Sequence, residues 1–422
     1  MASMPTTDRS YRALLAVPSL GRVVAGMQVA RIAQSMVGVS LVLFTLTEYR
    51  SATLAGIVTF LSIAPGMVAS PVAGALLDRH GRSRLVLVDY VVACASFGLI
   101  GVLAMTGHLP VWLLLLIAAI SSLTGPLSNS GLRSLFPLLV PRPLWERINA
   151  VDSMGYVVAT IVGPPAAGAL VALMGGPAAL VGIGAIFAVA ALVLIGIPDP
   201  QTDVTSTGRL LLDAWQGLVY TWRNPTLRAL GFAISAVNLS AGVVTIVIPL
   251  IVLDHLHQGP AVAGAVFAAM GVGGGVAAIV VGRTNSHGRE RVMLALPMLG
   301  MAAAIVLLLP GQLFLLVASM LIQGLMNGPM DVGLFTLRQR RTDPAWMGRA
   351  FAVSMTFNFA GFPIGSAIAG PLASASIPAA IAFAVAMAVV AAVIAWRGIP
   401  VTDDPRASAR MARRQVGATT GR

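Results

Sequence analysis

The chain contains no lysine, and all 27 of its basic residues are arginine. A Walker-type phosphate loop needs its lysine and Schiff-base chemistry needs an amine, so the chain alone builds neither an ATP-driven pump nor a lysine-dependent enzyme. Cysteine is nearly absent: Cys94 stands alone in an apolar run, which excludes an intramolecular disulfide and makes it a packing residue. Charge is scarce, at 10% of 422 residues against about a quarter in a soluble domain. The few histidines, His80, His108, His255, His257 and His287, have no spacing that suits a metal. No metal or organic cofactor is therefore expected. No apolar run places a nucleophile, a base and an orienting group at workable spacing, so an enzyme is not expected either.

What fills the chain is apolar surface, with 57% hydrophobic residues and a mean hydropathy of +0.88. This composition belongs to an all-α polytopic membrane protein. A hydrocarbon core of about 30 Å takes about 20 apolar residues per helix, and the chain offers twelve such segments: 22–47, 52–77, 85–106, 110–133, 150–173, 177–197, 226–252, 260–282, 292–309, 312–336, 350–374 and 377–396. They divide it into a short N-terminus (1–21), a first six-helix bundle (22–197), a linker (198–225), a second bundle (226–396) and a basic tail (397–422). The first segment carries Arg31 and has no small-residue cleavage site behind it, so it is expected to be a retained helix.

The net charge of +12 does not mark a nucleic-acid binder, because the arginines lie in small clusters between apolar runs and form no single basic face. With the N-terminus in the cytoplasm, 25 of the 27 arginines fall on the inner side, Arg50 falls outside and Arg31 within a span. This bias predicts twelve spans in the cytoplasmic membrane with both termini inside. Within the linker, Leu211, Trp215, Leu218, Val219 and Trp222 recur at helical spacing, the pattern of an amphipathic helix on the membrane surface.

Between the second and third segments stands GALLDRHGRSRL, residues 74 to 85, with one carboxylate, three arginines and a histidine. Its Gly74, Asp78, Arg79, Gly81, Arg82 and Arg84 resemble the G-x-x-x-D-R-x-G-R-x-x signature of major facilitator transporters. The resemblance implies a latch in which the aspartate holds one half of the transporter against the other, with Gly74 allowing close helix approach and Gly81 a turn at positive φ. Arg133 is a candidate partner for Asp78 or Asp89. The stretch from Val281 to Val292 echoes this signature, matching Gly288, Arg289 and Arg291 to Gly81, Arg82 and Arg84 at a separation of 207, though Asn285 replaces Asp78 and Val281 replaces Gly74. Trp145, Ser153 and Met154 recur as Trp346, Ser354 and Met355. These echoes suggest two pseudo-symmetric six-helix bundles, the arrangement of the major facilitator fold, with a substrate path between them near the midplane.

In the fifth segment, Ala150, Ala159, Gly163, Pro164, Ala167 and Gly168 resemble the antiporter signature G-x8-G-x3-G-P-x2-G-G of proton-coupled exporters, with alanine at three glycine positions. Small residues at these steps let helices touch. Arg31 lies roughly 13 Å past Arg22 along its helix, where a charge costs at least about 2.5–3.5 kcal/mol. It is expected to face a cavity or an acid. Asp89, Asp152 and Asp331 are the candidate acids. Asp331, seven residues before Arg338, is expected to be the deepest; coupling is expected to run through the Asp78 latch, Arg31 and one or more of these three acids, although Asp89 and Asp152 also fit structural clamps. Gln28, Gln34, Asn129, Asn238, Gln323, Asn327 and Asn358 supply polar groups to line a cavity or bond helices together.

The whole resembles bacterial drug and metabolite exporters of the macrolide-efflux and siderophore-exporter types. The expected activity is export of amphipathic small molecules in exchange for protons. The expected partners are the substrate, protons and the lipid bilayer, with no nucleic acid, and a monomer is expected. A proton-coupled importer or uniporter of a polar nutrient is the alternative, and a lipid-scrambling or non-transporting membrane protein is the alternative of another class. If Asp78 is a latch, Asp78→Asn slows transport and leaves substrate affinity intact. Equal loss of both in binding and flux assays would remove the latch.

Overall fold

The structure is a computed structural model that describes residues 10–197, 210–281, 289–343 and 346–400. These residues are almost wholly helical, without a strand. The chain forms two compact units, residues 1–206 with 257–268 and residues 207–256 with 269–422.

The first unit runs through α1 (Tyr11–Leu15), α2 (Leu20–Tyr49), α3 (Ala52–Leu61), α4 (Ala64–His80), α5 (Arg82–Met105), α6 (Val111–Leu139), α7 (Trp145–Met174) and α8 (Gly176–Leu194). The second contains α9 (Leu210–Arg223), α10 (Pro225–Leu250), the larger part of α11 (Pro260–Val281), α12 (Glu290–Val306), α13 (Leu313–Arg341), α14 (Met347–Phe359), α15 (Gly361–Ala375) and α16 (Ile377–Gly398). Among the described residues, ten helices are long and apolar enough to cross a membrane. The other two segments read from the sequence are α12, of 17 residues, and the pair α14 and α15, of 13 and 15 residues, divided at Ala360.

The second segment is also divided. Pro65 stands in the first turn of α4, where its missing N–H costs nothing but cannot continue the ladder from α3. Between α4 and α5 the turn is one residue, Gly81, at φ +94°, a conformation that favours glycine. Gly74 was expected to allow close helix approach. Among the described residues, a methyl group added there would meet nothing within 4 Å. The Asp78 side chain lies outside what the structure describes.

Close approach falls on other glycines. In the first unit a methyl on Gly66 would lie 2.0 Å from the Ser122 carbonyl oxygen, and one on Gly163 would lie 2.4 Å from Ser35 Cβ. The second unit repeats both contacts, Gly273 against the Leu321 carbonyl oxygen at 2.3 Å and Gly365 against that of Leu239 at 2.0 Å. Apolar helices in lipid gain little from burying more apolar surface and associate through such backbone proximity. Helix ends are tied by arginines, which suit the partial negative charge of a C-terminus. Arg22 donates from Nη2 to the carbonyls of Val193 at 3.0 Å and Ile195 at 2.6 Å, and in the second unit Arg291 donates to the carbonyl of Ile399.

Gly66→Ala therefore forces α4 and α6 apart at a backbone atom and destabilises the protein by about 1–3 kcal/mol, the usual range for overpacking. Gly74→Ala leaves the thermal unfolding midpoint in detergent unchanged. Equal midpoints for the two variants would contradict the contact.

Candidate functional site

The first unit gathers charge at one point. Arg31 of α2 donates from Nη1 to the carbonyl of Asp152 on α7 at 3.0 Å and pairs through Nη2 with the same residue's Oδ1. Arg133 of α6 donates from Nε to Asp152 Oδ2 at 3.1 Å. One carboxylate thus joins three helices. Side-chain exposure is 11% for Arg31 and 8% for Asp152, against 54% for Arg133, so the cluster has a closed and an open side.

Tyr156 completes it. Lying four residues past Asp152, it occupies the same helix face, and its ring receives Arg31 Cζ at 3.9 Å and Arg133 Cζ at 4.7 Å from the centroid. The two guanidiniums are held by the carboxylate and by the ring's negative face. Gly155 makes the geometry possible. A methyl there would lie 2.4 Å from Gln28 Oε1 and 3.1 Å from Arg31 Nη1, and Gln28 donates to the Gly155 carbonyl at 3.1 Å.

Asp89 of α5 sits apart from the arginines in its bonding. It is 4% exposed and faces the hydroxyls of Ser128 and Thr124, which lie one turn apart on α6 and donate to the carbonyls of Gly125 and Ser121 at 3.2 Å each. Hydroxyls donate to a carboxylate and accept from a carboxylic acid, so these two can serve Asp89 in either form. Ser128 also lines a narrow cleft with Arg31, Gln34, Tyr90, Asn129 and Tyr156. Both amides, Gln34 and Asn129, are exposed to it.

Several expectations need correction. Arg133 was a candidate partner for Asp78 or Asp89; the Asp78 side chain lies outside the described residues, and the carboxylate described on Arg133 is Asp152, because α6 and α7 bring Nε directly to it. Asp331 was expected to be the deepest acid. It keeps exposed surface on α13 although its surroundings desolvate the carboxyl, and among the described residues it makes no ion pair, whereas Asp89 and Asp152 are buried in the first unit. Arg338, counted in the sequence with the loop arginines, is 1% exposed. It donates from Nη1 to Met355 Sδ at 2.9 Å, and the Asn358 amide, turned so that its oxygen faces the guanidinium, accepts from Nη2 at 2.5 Å.

The other polar residues divide between lining and bonding. Asn238 donates to the carbonyl of Asn358 at 2.9 Å, Gln323 donates to Ser319 Oγ at 3.1 Å, and Asn327 is half-buried in α13. In the antiporter-like series, Ala159 is 3% exposed and Gly163 touches α2. Gly168 touches the start of α11, which groups with the first unit: a methyl on it would lie 2.6 Å from the Pro260 carbonyl oxygen and 3.0 Å from Gly264 Cα. Pro164 stands within α7, which stays a single helix through it. Arg79 and Arg84 are exposed and Arg82 half-buried beside the Gly81 turn.

A helical chain of this length with paired charges inside its spans is a polytopic membrane protein. The family model of the Major Facilitator Superfamily matches residues 23–241 and 229–419, and the chain belongs to that family of transporters. It is 36% identical over 371 residues to the uncharacterized MFS-type transporter y4rN of Sinorhizobium fredii, covering 87% of this chain and 92% of the relative. It is 28% identical over 357 residues to the multidrug efflux pump Tap of Mycolicibacterium fortuitum, covering 80% and 86%. Its fold matches the crystal structure of the nucleoside transporter NupG with a TM-score of 0.72 at 11% identity, over 90% of this chain and 98% of the other.

Removing the shared carboxylate leaves a buried guanidinium uncompensated. Asp152→Asn is expected to cost about 3–5 kcal/mol, and Arg133→Gln, on the open side, about 1 kcal/mol or less. The Arg31→Gln/Asp152→Asn double variant recovers part of the loss. Thermal unfolding in detergent measures all three, and an Asp152→Asn midpoint equal to the parent's would show that the pair gives no net stabilisation.

Proposed function

We propose that the chain exports amphipathic small molecules in exchange for protons by alternating access, in the cytoplasmic membrane with both termini inside. The observation that carries this reading is Asp89: a carboxyl buried in a membrane-spanning helix beside two hydroxyls, one of which also lines a cleft. Ionisable groups inside spans are costly and mark ion pathways by default. Ser128 gives a proton a route between the cleft and Asp89, and the change of form is absorbed by reorienting hydroxyls. Arg31, Asp152, Arg133 and Tyr156 form the charged wall next to it, whose open member, Arg133, can exchange its carboxylate for a substrate group. The efflux pump among the relatives supports the direction, and the arginine bias of the loops supports the orientation. The close contacts of Gly163 and Gly168 support a helix that acts in packing, as the antiporter-like spacing suggests.

The test is accumulation of fluorescent amphiphilic dyes in cells stripped of their own efflux pumps, with and without this chain, before and after a protonophore. The chain should lower accumulation, and the protonophore should abolish the difference. Asp89→Asn should reach the membrane in normal amount and lose at least about tenfold of the protonophore-sensitive rate, in the range that a positioned proton-transfer group supplies. Export by Asp89→Asn at the parental rate would remove the proton from this residue. Export that ignores the protonophore would remove it from the mechanism.

A further inference from the structure

The helix α9 presents two faces with different tasks. Trp215, Leu218 and Trp222 are 61%, 42% and 54% exposed, and their spacing aligns them along one stripe. The opposite face is sealed: Tyr220 and Thr221 are 5% and 6% exposed. There, Tyr220 Oη accepts from the backbone N–H of Asp343 at 3.0 Å. Its ring stacks on Trp346 at 5.0 Å with 5° between the planes. One residue beyond α9, Asn224 caps α10 by accepting from Leu227 N–H at 3.1 Å and donates to the Arg341 carbonyl at 2.9 Å. The inner face therefore grips the connection between α13 and α14 from both sides of residues 341–346.

The outer stripe continues onto an exposed side of the spans. Trp222 meets Phe232 of α10 edge-on at 5.9 Å, Phe232 is itself 41% exposed, and Phe232 meets Phe357 of α14 at 5.1 Å. Two arginines flank the stripe where it joins α10. Arg223 and Arg228 are both exposed, and Arg228 donates to the Trp222 carbonyl at 3.4 Å. Tryptophans beside basic residues at the end of a spanning helix are the composition of a headgroup layer, and arginines at that level attract anionic lipid.

We propose that α9 is a sensor of anionic phospholipid. Its Trp215–Leu218–Trp222 stripe inserts into the headgroup layer beside Arg223 and Arg228, and its inner face passes that attachment to the α13–α14 connection through Tyr220 and Asn224. This goes beyond the export reading and holds whatever the substrate is.

The experiment uses the full chain in nanodiscs of phosphatidylcholine alone or mixed with phosphatidylglycerol, with amide exchange read on peptides that cover Asp343. Phosphatidylglycerol should slow exchange there. The preference for phosphatidylglycerol, measured by titration, should fall about fivefold for each of Arg223→Gln and Arg228→Gln, the effect of one basic residue at an anionic surface. Trp215→Gln should abolish the slowing; because Trp222 packs on Phe232, Trp215 is the variant that tests the stripe without disturbing the spans. Tyr220→Phe should keep lipid binding and lose the slowing at Asp343. Equal exchange in both lipids, or slowing that survives Trp215→Gln, would overturn the proposal. Slowing reproduced by soluble glycerophosphate in phosphatidylcholine discs would assign the arginines to a free anion, and would overturn it too.

Discussion

The hydrocarbon interior offers no water to a charge, and the site of this protein is organised by that constraint. Arg31 could not stay in α2 without a carboxylate, and Asp152 could not stay in α7 without a cation. Their bond fixes the rotation of both helices, which in turn sets the face on which Tyr156, Gln28 and Gly155 stand. Arg133 adds a second cation from α6 and is the exposed member of the three. The cluster is closed on one side, where Arg31 meets Asp152, and open on the other, at Arg133.

Much of this was legible from residue types. An arginine nine positions inside an apolar run demanded a partner, and the small-residue steps of α7 demanded close neighbours, so Arg31 and Gly163 could be singled out from sequence. The choice among acids could not. Asp89, Asp152 and Asp331 each stand in an apolar segment, and only the packing of α5, α6 and α7 decides that Asp89 and Asp152 are buried. Tyr156 had a usable signal, its four-residue spacing from Asp152, but an aromatic ring beside two cations announces itself only when the second cation arrives from another helix. Arg338 was hidden by its neighbours, because Arg340 and Arg341 made it look like the edge of a loop. Gly66 gave no such signal: it stands two turns before the signature glycine, Gly74, and the tight contact between α4 and α6 falls on it.

The repeated glycine contacts show why the two halves can diverge in chemistry and keep one architecture. Gly66 on Ser122 and Gly273 on Leu321, like Gly163 on Ser35 and Gly365 on Leu239, need only the absence of a side chain on one helix. What stands on the remaining faces is free to differ. The first unit has spent those faces on an ion cluster and on a carboxyl beside hydroxyls, and the second on a buried guanidinium held by a thioether and an amide.

The single-residue turn at Gly81 also has a mechanical meaning. One residue gives the chain no slack, so α4 and α5 cannot draw apart at that end and can only pivot about it. The 17 residues of α4 make an arm of about 25 Å, and a pivot of about 10° would carry its far end through about 4 Å. That far end is itself a joint, at Ser62 and Ile63, where α3 stops and Pro65 starts the helix afresh. A rod hinged at both ends transmits displacement without bending, and α4 has that form.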